Sequence, residues 1–297
     1  MAAYDFLTLD VFTDRPFTGN PLAVFPNADA IPDDLMPKIA AEFNLSETVF
    51  IRQASAREAI ASLRIFTPKA ELPFAGHPTI GATIVLAAGL SPDRAQAGFL
   101  IETKAGLVHA SAQPGPIGSA RIQSPLLPSA LPIAGSPNLA QAINLEPQDI
   151  VHGAFAPAIF GVGVPFTFIA VKDQVALARA KVNSGQWDQV FDGSPAPKTY
   201  IFTMPDWSGS IIHARMFAPT LGVSEDPATG SAASALAGLL VRAQSLSAGD
   251  HQWLIHQGED MGRPSQITLS ASIGQTGLAA VHIEGQAVKM LQGQFSC

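Results

Sequence analysis

The feature that most restricts the folding of this chain is an internal echo. Arg64-Ile65-Phe66-Thr67-Pro68 recurs as Arg215-Met216-Phe217-Ala218-Pro219, and each copy reads as a strand ending at a proline. Each is followed by a short loop and then a helix of small residues. The first loop is Glu71-Leu72-Pro73-Phe74-Ala75-Gly76-His77, leading into a helix expected over Pro78–Ala88; the second is Ser224-Glu225-Asp226-Pro227-Ala228-Thr229-Gly230, leading into one expected over Ser231–Val241. Pro78 suits a first turn, where its missing N–H is not needed, and Gly89 suits the position just past the end. Ile80, Ala82, Ile84, Val85 and Leu86 make the first helix apolar nearly all round; Ala232, Ala235, Leu236, Leu239 and Leu240 do the same for the second. A helix with no polar face is buried on every side.

The surrounding segments alternate as short strands do, for example Tyr4–Phe12, Glu47–Ile51, Ala59–Phe66, Ile201–Pro205 and Ile211–Phe217. The expected fold is therefore α+β, with two pseudo-symmetric domains, each a barrel-like sheet wrapped around a central helix. The Gly/Pro-rich stretch from Gln113 to Gly118 places the boundary near 115, giving domains over 1–115 and 116–283. The final strand, near Val288–Leu291, is expected to complete the first domain as 284–297, although periodicity alone allows either half.

Charge and cysteine content narrow the function. The net charge is −7 with no basic cluster, which argues against nucleic acid and anionic membranes as partners. The longest apolar run, Thr79–Leu90, is too short to span a bilayer, and the N-terminus lacks the basic and apolar regions of a signal peptide. The one cysteine, Cys297, has no partner for an internal disulfide, so the expected location is the cytoplasm.

Motifs for bound groups are missing. His251 and His256 are five apart, unlike a metal pair on one helix face, and Gly161-Val162-Gly163 lacks the third glycine of a dinucleotide loop. There is no Gly-Lys-Ser/Thr phosphate loop and no serine nucleophile elbow. Chemistry that side chains run alone is what remains, with no metal and no cofactor expected.

Both helix starts attract carboxylates, because unpaired N–H groups and a partial positive charge lie there. If they converge on one cleft, they would hold a substrate carboxylate and stabilise charge as a proton leaves the adjacent carbon. His77 lies at the first helix start, where protonation is disfavoured; Asp226 lies just before the second. Glu47 opens the apolar strand Thr48-Val49-Phe50-Ile51, where desolvation would raise its pKa into a range useful for proton transfer. These residues nominate a cleft and leave the choice of base open.

At these positions the chain resembles the PhzF-like phenazine-biosynthesis family, within the diaminopimelate epimerase-like superfamily. The resemblance rests on Asp10-Val11-Phe12 with Phe17-Thr18-Gly19-Asn20-Pro21-Leu22-Ala23-Val24, on Leu45-Ser46-Glu47-Thr48, and on Glu71 through Thr79. It continues through Glu225 to Ala233 and Gln257 to Ser265, so ordered motifs cover nearly the whole chain. It implies a homodimer, an interdomain active site, and proton transfer without metal or cofactor on a small carboxylate-bearing substrate. Glu47 matches the catalytic acid/base, His77 and Asp226 matching residues that assist; Gly76, Gly230, Ser231 and, more weakly, Asn20 match substrate-binding positions. The superfamily's racemases use two cysteines at the helix starts. Here His77 and Thr229 occupy those neighbourhoods, which excludes a two-thiol mechanism. The reading is an isomerase; an epimerase working on one carbon, or a silent binding protein of the same fold, are the alternatives.

Overall fold

The computed structural model describes residues 2–90, 96–133 and 138–297. In the first half, strands β1 (Ala3–Val11), β2 (Asn20–Phe25), β3 (Glu47–Arg52), β4 (Ala59–Phe66) and β5 (Glu71–Leu72) precede helix α2 (Gly76–Leu90), with α1 (Met36–Phe43) between β2 and β3. β6 (Gln96–Thr103), β7 (Gly106–Gln113) and β8 (Ile117–Gln123) follow. The second half contains β9 (Ser129–Leu131), α3 (Leu139–Ala142), β10 (Ala158–Gly161), β11 (Pro165–Ala170), α4 (Gln174–Arg179), α5 (Ser184–Phe191), β12 (Thr199–Thr203) and β13 (Ile211–Ala218). Its remaining elements are β14 (Val223–Asp226), α6 (Gly230–Ala243), β15 (Gly249–Gln257), β16 (Ser265–Gly274) and β17 (Gly277–Ser296).

The chain divides into two compact units, residues Met1–Leu126 with His282–Cys297, and Leu127–Val281. In the first, pairing runs β1–β2–β3–β4–β6–β7–β8–β17 and returns from β17 to β1, which closes an eight-stranded barrel. Two of these pairs, β2–β3 and β4–β6, are parallel and need crossovers. The first crossover carries α1 over the outside, where Met36, Ile39 and Ala40 pack on Phe25, Phe50 and Phe66. The second is α2 itself, which runs inside the ring.

A helix inside an eight-stranded barrel must be thin. Gly81 of α2 lies against Leu22, Val11 and Leu9, and a Cβ there would collide with Leu22 Cδ2. Gly118 of β8 makes room for Ile84 in the same way. Residues Gly76 to Ile84 are all buried, as expected for a helix lacking a polar face. The helix extends further than expected at both ends, so Gly89 falls within it rather than past it.

The second unit repeats the order: β9–β10–β11–β12–β13–β15–β16, with β11–β12 and β13–β15 parallel. Here α4 and α5 take the outer crossover, and Trp187 and Phe191 of α5 pack on Ile169, Ile201 and Phe217. The inner crossover is α6, whose Gly238 faces the Phe160 ring; a Cβ there would sit 2.7 Å from it.

The Pro/Gly-rich stretch at 113–118 is the turn between β7 and β8, not a linker, and the division falls at Leu126/Leu127. Tight turns and linkers draw on the same residues, and only strand pairing separates them. β17 is 20 residues long and the division falls within it, so its stretch from His282 onward completes the first barrel. No helix among the described residues is long and apolar enough to cross a membrane.

Candidate active site

In the first unit, four of the sequence-nominated residues come together. β2 and β3 lie side by side with Leu22 opposite Glu47, so Asn20 and Glu47 sit at the same end of the parallel pair. Gly76 and His77 open α2 at that end of the barrel. His77 Nδ1 lies 3.4 Å from Glu47 Oε2 and 3.3 Å from Asn20 Nδ2. His77 and Asn20 are buried, while the Glu47 side chain keeps 16% of its surface exposed. The acid thus stays accessible while its neighbour does not.

Burial drives the His77 pKa down to about 3; a backbone hydrogen bond at Pro21 works against that shift without offsetting it. The ring is therefore neutral at any ordinary pH, and the 3.4 Å approach to Glu47 is a polar contact rather than an ion pair. His77 Nδ1 is where the amide and the carboxylate gather. Nε2 is buried and has no hydrogen-bond partner among the described residues.

The loop before Asn20 is held under strain. Phe12 and Phe17 both take φ of 65°, a region costly for a side chain with a Cβ. The Phe17 N–H donates to the buried Asp10 carboxylate at 2.7 Å, and Gly19, at φ 67°, packs so tightly on the Val11 carbonyl that only glycine fits. These contacts hold the turn that delivers Asn20 to the barrel end.

In the second unit the nominated residues Asp226, Gly230 and Ser231 lie on one loop and helix start. Asp226 is buried and accepts a hydrogen bond from Thr229 Oγ1 at 2.5 Å. Sequence reasoning missed how this loop is held. Gln257 Nε2 donates to the Asp226 carbonyl at 2.8 Å and to Thr229 Oγ1 at 3.0 Å, while its Oε1 accepts from Thr229 N–H at 3.2 Å and Tyr200 OH at 3.1 Å. Ser265 Oγ donates to the Pro227 carbonyl at 2.7 Å. Burial, with the Asp226 charge adding to it, raises the Tyr200 pKa, so its hydroxyl stays a donor. Gln257 and Ser265 do fall in a motif shared with the family; that signal alone carried no role for them.

The repeated arginines explain the loops' common shape. Arg64 grips Glu71 of β5 through two nitrogens and lies over the Phe66 ring. Arg215 grips Glu225 of β14 at 2.8 Å twice, lies over Phe217, and donates to the carbonyls of Leu177, Ala178 and Ala180 near the end of α4. Each fork ties the strand to the loop that leads into the central helix. Among the described residues, no group of three or more His, Cys, Asp or Glu is gathered as a metal site requires.

A barrel closed on its own helix, its strand order repeated in a second unit, is an epimerase-like fold, and the class of protein is an isomerase or epimerase. Comparison with known proteins names the family. The chain belongs to the phenazine biosynthesis-like (PhzC-PhzF) family, whose model matches residues 9–293. It is 35% identical to an uncharacterised isomerase of Mesorhizobium japonicum, over 99% of each chain. It is 31% identical to the trans-2,3-dihydro-3-hydroxyanthranilate isomerase of Pseudomonas aeruginosa, over 97% of this chain and 98% of that one. Among solved structures, a PhzF-family phenazine biosynthesis protein of Bacillus anthracis superposes with a TM-score of 0.87 over 100% of both chains at 24% identity. The protein is an isomerase of this family.

Proposed function

We propose that the protein shifts a proton on a small carboxylate-bearing metabolite by general acid/base catalysis, without metal or cofactor. Glu47 takes a proton from one carbon, the double bond moves, and the same carboxyl returns a proton to a second carbon, so the formula of the substrate is unchanged. The observation that carries this reading is the partly exposed Glu47 carboxylate beside a buried, neutral His77 at the first turn of α2. A neutral imidazole orients the acid without an opposing charge that would hold it ionised. Gly76 and His77 at the α2 start, and Gly230 and Ser231 at the α6 start, have the backbone donors that a carboxylate needs. Asn20 steadies His77, and Asp226 assists as a second acid.

The 31% identity to a trans-2,3-dihydro-3-hydroxyanthranilate isomerase makes that compound the first to assay. Its aromatic counterpart, 3-hydroxyanthranilate, cannot undergo the shift and serves as a binding probe; 2-aminophenol is the same ring without the carboxylate. Incubation of candidate acids in deuterium oxide, read by mass, tests the reaction. The parent incorporates deuterium, and Glu47→Gln slows incorporation by roughly 100- to 10,000-fold. A Glu47→Gln protein that exchanges at the parent's rate refutes the assignment. A homodimer in the cytoplasm completes the proposal; the family resemblance and a single exposed cysteine without a disulfide support it, and sedimentation of the purified protein checks the stoichiometry.

A further inference from the structure

In the second unit, the buried side chains of Tyr200, Asp226, Thr229 and Gln257 form a network in which two backbone groups fix the direction of the hydrogen bonds. The Asp226 carbonyl can only accept, so the end of the Gln257 amide 2.8 Å away is the nitrogen. The Thr229 N–H can only donate, so the end 3.2 Å away is the oxygen. Turning the amide over would set acceptor on acceptor and donor on donor. The same orientation aims the amide nitrogen at Thr229 Oγ1, 3.0 Å away, and lets Oε1 accept from the Tyr200 hydroxyl at 3.1 Å.

Thr229 Oγ1 is therefore an acceptor towards Gln257, and its one hydrogen has to point elsewhere. Asp226 Oδ2 lies 2.5 Å from that oxygen. A protonated carboxyl would bring a second hydrogen into this gap, whereas a carboxylate fills it with an acceptor, and charge-assisted bonds of this kind are short. The other ionisable groups around the loop are engaged. Glu225, on the same strand, meets Arg215 of β13 at 2.8 Å, and Arg215 also lies 3.5 Å from Asp260 after β15. Tyr200 of β12 keeps its proton.

We propose that Thr229 is a positioning residue: it directs its hydroxyl hydrogen onto Asp226 and so keeps that carboxyl ionised, ready to take up a proton before giving one back. The inference deepens the part given to Asp226 in the proposed function and rests on it. Gln257 acts one step further out, by turning the hydroxyl towards Asp226. The competing role for Thr229 is a purely structural cap on the loop before α6.

Thr229→Val keeps the shape of the side chain and removes the hydroxyl, while Thr229→Ser keeps the hydroxyl. Carbon-13 spectra of the full chain, labelled at its aspartate carboxyls, follow the charge directly, with Asp226→Asn identifying the resonance. Asp226 should titrate about one to two pH units higher in Thr229→Val than in the parent, and Thr229→Ser should restore the parent midpoint. The acid limb of deuterium incorporation into trans-2,3-dihydro-3-hydroxyanthranilate should move by the same amount. Far-UV dichroism at each pH keeps unfolding apart from titration. The same Asp226 midpoint in folded Thr229→Val and parent overturns the proposal. A resonance that moves while the acid limb stays put would instead overturn the part of Asp226 in the proposed function, and leave the control of its charge by Thr229 standing.

Discussion

His77 should make the protein lose stability in mild acid, and the size of the effect follows from its burial. In the unfolded chain the ring titrates near 6.5; in the fold it does so at about 3. Over that window the unfolded state binds a proton that the native state refuses, so stability falls as pH drops through 6.5 and the loss is complete near 3. The slope approaches ~1.4 kcal/mol per pH unit. At pH 5 the accumulated loss is about 2 kcal/mol relative to pH 7.5, a large share of the ~5–15 kcal/mol that holds a domain together. His77→Gln removes the titrating group and keeps a polar side chain, so the difference between variant and parent should move by about 2 kcal/mol in the variant's favour from pH 7.5 to pH 5. All three tryptophans, Trp187, Trp207 and Trp253, belong to the second unit. Fluorescence would therefore read the wrong half. Hydrogen exchange of α2 amides, corrected for the intrinsic pH dependence, reads the relevant opening. Parallel pH profiles for parent and variant, or a His77 resonance that titrates near 6.5, would refute the reasoning.

Two further changes probe the scaffold. Gly81→Ala puts a methyl group into Leu22 inside a closed barrel and should cost about 1–3 kcal/mol, read as a lower urea midpoint for the first unit by far-UV dichroism. Gln257→Leu cuts the bonds to the Asp226 carbonyl and Thr229 and leaves the Tyr200 hydroxyl without its acceptor. It should lower kcat more than it lowers the melting temperature; an unchanged kcat would show that the loop's position does not matter to turnover.

Much of this molecule is legible in its sequence, for a physical reason. The repeated Arg-x-Phe segments, the all-apolar helices and the loops before them are local patterns, and local patterns carry periodicity, capping preference and charge. From these come the buried helices, the doubled plan and the candidates Glu47, His77 and Asp226. The site partners of His77 are different: Asn20 lies 57 residues away in the chain, and only parallel pairing of β2 and β3 at one barrel end makes them neighbours. Gln257, 28 residues beyond Thr229, is no more visible from the sequence, because a buried amide reveals its role only through the four atoms it meets.

Residue order determined that two helices would be buried and that each would begin at a polar loop, because amphipathicity is a property of neighbours along the chain. Tertiary structure decided where the halves divide, how the last strand completes the first barrel, and how firmly burial holds the histidine beside the acid uncharged, a state that its place at a helix start only favoured. Those outcomes depend on strand register and on exclusion of water, and both arise only when segments far apart in sequence are brought into contact.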